Sequence, residues 1–178
     1  PFLMKKILFI FLTACFFFSC EKETIVIPQQ HAGRTVLAFF WADNSLNSNL
    51  RNNIRTMMQG LQAMKDSAAL LVYWDGEASD ISWPEPCIVE YVTNGQGGIN
   101  SMSKEAVNAM IADQDMSVHD LISIGNIRKK YPPQTSTEKT VMQTVIGDMM
   151  SVYPSESYGI IFGSHGSGWL PLLPALVL

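Results

Sequence analysis

The sequence is poor in cysteine and in charge. Three cysteines stand among 178 residues, and Asp, Glu, Lys and Arg together make up 16%. Cys15 and Cys20 lie near the start, which leaves Cys87 alone in the body of the chain. A lone thiol makes no internal disulfide, so the fold does not rest on a disulfide framework. Lys and Arg form no extended run or stripe that could displace counterions from phosphates, which argues against a nucleic-acid partner. No apolar stretch reaches the roughly 20 residues that a membrane-spanning helix needs. Internal repeats, low-complexity tracts and a Gly-x-Ser-x-Gly sequence are all missing.

What is present begins with an export signal. Pro1, Phe2 and Leu3 precede Met4, the expected start residue. Met4-Lys5-Lys6 is a positive n-region, and residues 7–18 are apolar apart from Thr13. That pattern is a secretory signal rather than part of the fold. Phe17-Phe18-Ser19-Cys20 resembles a bacterial lipobox, and Leu12-Thr13-Ala14-Cys15 resembles one too. Cys20 is the preferred lipid-attachment residue, because it leaves a fuller apolar region and Glu21-Lys22-Glu23 follows it as a polar tether. Loss of residues 1–19, which carry Lys5 and Lys6 and no acid, takes the formal charge from −4 to −6. The expectation is export across the inner membrane of a Gram-negative bacterium and lipid anchoring at the outer membrane or cell surface. The simpler alternative is a plain cleaved signal with incidental cysteines.

Residues 21–33 read as a tether, 34–171 as the folded domain and 172–178 as an atypical apolar tail. Thr35-Val36-Leu37-Ala38-Phe39-Phe40-Trp41 and residues 68–74 are apolar runs of the kind found in strands buried on both faces. Between them Leu46, Leu50, Ile54, Met57, Leu61 and Met64 recur at helical spacing. Strand, helix, strand in this order predicts a parallel βαβ unit. Residues 87–92 read as a short strand, 94–98 as a turn and 103–111 as a short helix with Val107, Met110 and Ile111 inward. Residues 119–127 have no clear assignment. Thr135 and Glu138 have capping-box spacing ahead of a helical stripe from Val141 to Met150. Tyr158-Gly159-Ile160-Ile161-Phe162-Gly163 reads as a third buried strand.

Function in open α/β sheets gathers at the carboxyl ends of strands. Three expected strands end in polar residues: Asp43 and Asn44, Asp75, and Ser164-His165. A histidine held at a strand end suits a general base. Gly166 beside it lets a backbone N–H approach a substrate oxygen with no Cβ in the way. Asp43 reads first as a helix cap and second as an orienting group. Asp75 could meet substrate or a calcium ion, although one carboxylate is far from the six to eight oxygens calcium takes. Cys87 reads as a buried inert thiol, His31 as a solvated tether residue, and His119 beside Asp120 as a weak base–orienter pair.

Ser164-His165-Gly166-Ser167-Gly168-Trp169-Leu170-Pro171 resembles the histidine motif of clostripain-family cysteine peptidases. Tyr153-Pro154 resembles that family's lead-in to the strand, and Trp41-Ala42-Asp43-Asn44-Ser45-Leu46 its first strand and Asp-Asn turn. The resemblance spans residues 34–171 and is weak between 76 and 125. It implies an α/β, caspase-like three-layer sandwich with a largely parallel central sheet, incomplete at the C-terminus. It also implies His165 as the catalytic histidine, Gly166 as an oxyanion-hole donor, and Asp43, Asn44, Asp75 and Ser164 at the site's edge. The nucleophile would be a cysteine in an Asp-x-Cys setting on the next strand, and no cysteine follows His165 here. By the same resemblance the substrate is a protein or peptide cut after Arg or Lys, with calcium as the one cofactor the family suggests and no metal ligands of its own. The rivals are an α/β-hydrolase-type serine esterase, whose His-Gly-Gly-Gly loop resembles His165 to Gly168, and a non-catalytic surface lipoprotein.

Overall fold

The structure is a computed structural model, and it describes residues 32–64, 68–76 and 85–164. The elements run β1 (Arg34–Ala42), α1 (Asn47–Ala63), β2 (Ala68–Gly76), β3 (Cys87–Val92), α2 (Lys104–Ala112), α3 (Val118–Ile124), β4 (Asn126–Lys130), α4 (Lys139–Val152) and β5 (Tyr158–Gly163). They form a five-stranded sheet in the order β4-β3-β2-β1-β5. β1 pairs parallel with β2 and with β5. β3 pairs antiparallel with β2 and with β4, so the sheet is mixed. The α/β, three-layer arrangement is the expected one.

Period-2 alternation divides the strand side chains between two cores. Ala38, Phe40, Leu70, Val72 and Trp74 face α1, α2 and α3, and pack on Leu50, Ile54, Met58 and Leu61 of α1. Leu37, Phe39, Leu71 and Tyr73 face α4, and pack on Val145 and Met149. Phe39 and Phe40 are both 0% exposed, and burial of each stabilises the fold by roughly 1.5–3 kcal/mol. In α1 the fully buried methionine is Met58, whereas Met57 packs only partly against the core.

Several local expectations need correction. Asp43 does not cap α1. The N-cap position is Leu46 and carries no side-chain cap. Instead Asn44 Oδ1 accepts from Leu46 N at 2.8 Å, and its amide donates to the Trp41 carbonyl, closing the turn out of β1. Thr135 and Glu138 form no capping box, because Glu138 is itself the N-cap of α4 and caps with no side chain. A capping box does form where no element was assigned. Ser117 Oγ accepts from Asp120 N, and Asp120 reaches back to Ser117 N at the start of α3. Asp120 is therefore a capping group rather than an orienter for His119. β5 is not buried. Ile160, Ile161 and Phe162 are 45%, 41% and 49% exposed, because β5 pairs with β1 on one side and no described strand lies on the other.

Candidate functional site

The chain leaves β1 in two senses. Through α1 it moves to β2, and later through α4 it arrives at β5 on the other side of β1. α1 lies on one face of the sheet and α4 on the other. The carboxyl ends of β1 and β5 thus flank the topological switch point, where an open α/β sheet leaves a crevice. Asp43 and Asn44 follow β1 there, and Ser164 follows β5. In register Phe40 is level with Gly163 and Trp41 with Asp75. Ser164 is the first residue after β5. His165 and Gly166 lie outside the described residues, as do Cys20, the signal, the tether up to residue 31 and the tail.

Close packing fixes the strand end. A Cβ on Gly163 would stand 2.6 Å from Phe40 Cδ1 and 2.7 Å from Leu50 Cδ2. Only glycine lets β5 lie this tightly against β1 and α1 just before the histidine motif. On the opposite face Phe162 stacks on Trp41, with ring centroids 5.8 Å apart and planes 18° from parallel.

Asp75 is the last residue but one of β2, one strand away from the switch point, in a hydrogen-bond relay with residues 134–136. Ser136 Oγ donates to Asp75 Oδ2. Its single proton is thereby committed, so the 2.7 Å contact between Tyr73 OH and Ser136 Oγ is a donation from the tyrosine. Gln134 Nε2 donates to Tyr73 OH at 2.9 Å. Each donor points toward the carboxylate, the arrangement in which successive hydrogen bonds polarise one another. Burial pushes the Asp75 carboxyl above its ordinary value, the Ser136 hydrogen bond opposes that, and Asp43 nearby adds to the rise. Burial likewise raises Tyr73, against its bonds to Ser136 and Gln134. Ser136 and Gln134 were not legible as site-edge residues, since nothing in a polar loop after Pro132-Pro133 names its partner on β2.

Other candidates fall elsewhere. Cys87 is 0% exposed at the start of β3. His119 lies on the exposed side of α3. An apolar groove of about 330 Å³, lined by Arg34, Val36, Met57, Leu61 and Ile161 among others, sits at the amino end of the parallel strands, away from the switch point. Among the described residues no group of three or more His, Cys, Asp or Glu could hold a metal. Asp43 and Asp75 alone do not fit calcium, which takes six to eight oxygens. No described helix is long and apolar enough to cross a membrane.

The sequence profile of the Clostripain family matches residues 38–172. Among solved structures, the chain is similar to a cysteine protease from B. fragilis at 27% identity and a TM-score of 0.55, over 78% of this chain and 93% of that one. It is similar to a secreted C11 cysteine protease from Bacteroides thetaiotaomicron, in complex with an irreversible peptide inhibitor, at 25% identity and a TM-score of 0.53. That alignment covers 79% of this chain and 31% of the longer protein. A clostripain from the same species, at 19% identity and a TM-score of 0.54, shares the fold. Comparison with curated proteins gives no match.

Proposed function

The chain belongs to the clostripain family, and from that premise we propose that it is the histidine-bearing part of an exported cysteine endopeptidase. The observation that carries this reading is the parallel pairing of β5 with β1, which brings Gly163 level with Phe40 at the carboxyl end of the strands, with Ser164 and His165 next along the chain. In the reaction a thiolate attacks the peptide carbonyl. His165 takes the thiol proton and returns it to the leaving amine, and Gly166 N–H steadies the oxyanion. No cysteine follows His165 within these 178 residues, and a histidine without a thiol has no nucleophile to activate. The secreted relative supports export, and its peptide inhibitor supports a peptide substrate. Cleavage after Arg or Lys, and lipid anchoring through Cys20 at the outer membrane, belong to the same proposal.

The test has two parts. Sequence beyond codon 178 should contain a strand followed by Asp-x-Cys; a Gly-x-Ser-x-Gly there would turn the reading to an esterase. The 178-residue chain alone should leave Arg and Lys reporter peptides intact. Turnover by this chain, abolished by His165→Ala, would overturn the claim that it lacks its nucleophile.

A further inference from the structure

Asp75, Ser136, Tyr73 and Gln134 form a chain of three successive hydrogen bonds at the carboxyl end of β2. Its direction is set at one end. An ionised carboxylate only accepts, so Ser136 donates to Asp75, Tyr73 to Ser136 and Gln134 to Tyr73. Ser136 and Tyr73 are 3% and 0% exposed, so neither hydroxyl can turn to water instead. Gln134 is half-buried, and its amide has room to turn over. A neutral Asp75 carries a proton that itself needs an acceptor. The side-chain oxygen that the described residues place against this carboxyl is Ser136 Oγ. If Ser136 accepts there, its own proton has Tyr73 Oη as its acceptor, and the Tyr73 proton then goes to Gln134 Oε1.

We propose that Asp75, Ser136, Tyr73 and Gln134 are a proton-driven polarity switch: protonation of Asp75 reverses all three hydrogen bonds and turns over the Gln134 amide. With Asp75 ionised, Gln134 keeps Nε2 on Tyr73 and leaves Oε1 to solvent. With Asp75 neutral, Oε1 takes the Tyr73 proton and the NH2 group is left to solvent. The surface beside the carboxyl edge of the sheet thus changes from offering an acceptor to offering donors. The surroundings favour the neutral form. Burial and Asp43, which follows β1, raise the Asp75 carboxyl above its ordinary value, and the Ser136 hydrogen bond opposes them. Cys87 opens β3 level with Trp74, and Tyr131 packs edge-on against Tyr73 while donating to Asp148. Neither thiol nor phenol is charged in acid, so among the described residues Asp43 is the charge that acts on Asp75 directly. The switch does not involve the histidine motif, so its failure leaves the peptidase reading untouched.

The experiment is infrared difference spectroscopy of the 178-residue chain through an acid titration, with the glutamine side-chain carbonyls labelled with carbon-13. A carboxyl band should grow as pH falls, and one glutamine carbonyl band should move to lower frequency with the same midpoint. Asp75→Asn should remove both changes. Gln134→Met, a change at a half-buried position, should remove the glutamine change and keep the carboxyl band. Ser136→Ala should keep the carboxyl band and lose the glutamine change, because the chain is cut between them. An Asp75 band that titrates with no glutamine band moving overturns the proposal, and so does a glutamine change that survives in Gln134→Met. A titration that Asp75→Asn leaves unaltered overturns it as well. Where Ser136→Ala does not fold, Asp75→Asn and Gln134→Met decide.

Discussion

Ser136 is 3% exposed and holds two partners at once, accepting from Tyr73 and donating to Asp75. Its removal leaves a buried phenol without an acceptor and a half-buried carboxylate without a donor. Ser136→Ala should therefore destabilise the fold by about 1–3 kcal/mol, measured as a lower urea midpoint with unchanged slope. Asp75 carries a separate, pH-dependent expectation. Its folded pKa is raised above 3.8, chiefly by burial, so the folded state binds its proton more tightly than the unfolded state. Ionised Asp75 therefore costs stability at every pH above its folded value, and that cost disappears as pH falls through the folded value toward 3.8. Asp148 behaves oppositely. Burial would raise it, but hydrogen bonds from Lys129 at 2.5 Å and Tyr131 at 2.7 Å bring it below 3.8. Its contribution is present above 3.8 and is lost as pH falls through the lower folded value. The two windows lie on opposite sides of 3.8. Asp75→Asn should abolish the gain in stability on mild acidification and leave the loss at stronger acid in place. An unaltered mild-acid limb in that variant would show that Asp75 is not the titrating group.

Elements whose side chains alternate between two cores, or recur on one helical face, were legible before any coordinates. β1, α1, β2 and α4 owe their existence to apolar periodicity, and Asp43 and Asn44 after β1, Asp75 near the end of β2 and Ser164 after β5 stand at the carboxyl edge of the sheet where the site is proposed. α3 and β4 were not legible. β4 reads Asn-Ile-Arg-Lys-Lys and is exposed throughout, so it has no apolar run to announce a strand. It exists because it pairs with β3 and is tied down by Arg128 facing Glu90 at 3.8 Å, Lys129 bonded to Asp148 and Lys130 to Glu85 at 2.8 Å. The relay to Asp75 joins residues 61 positions apart, a separation that no local pattern encodes. The join between α3 and β4 depends on Gly125, where a Cβ would stand 2.2 Å from Val89 Cγ1 and 3.0 Å from Tyr91 Cε1. Both neighbours are buried core side chains, so neither yields freely. Gly125→Ala should cost about 1–3 kcal/mol through overpacking. Hydrogen exchange should show the loss concentrated in β3 and β4, and uniform exchange with wild-type stability would mean that the β3 side chains adapt without cost.

At the scale of the whole molecule the sheet is asymmetric. One edge, β4, carries Arg128, Lys129 and Lys130, the charged lining by which proteins keep a strand edge from pairing with another chain. The other edge, β5, has no charge at all and exposes Ile160 and Phe162 on one face and Ile161 on the other. Ile161 also lines the apolar groove beside α1. An uncharged, apolar edge strand of this kind templates intermolecular pairing. The 178-residue chain should therefore self-associate at micromolar concentrations, where exposed strand edges and apolar surface drive aggregation. Ile160→Lys places a charge on that edge at a position 45% exposed, where its stem can lie along the sheet and its head can reach water. Sedimentation velocity should show the wild-type chain as a spread of large species and Ile160→Lys shifted toward monomer, with the circular dichroism spectrum unchanged. A wild-type chain that sediments as a clean monomer and melts in one cooperative step would mean that β5 is already protected.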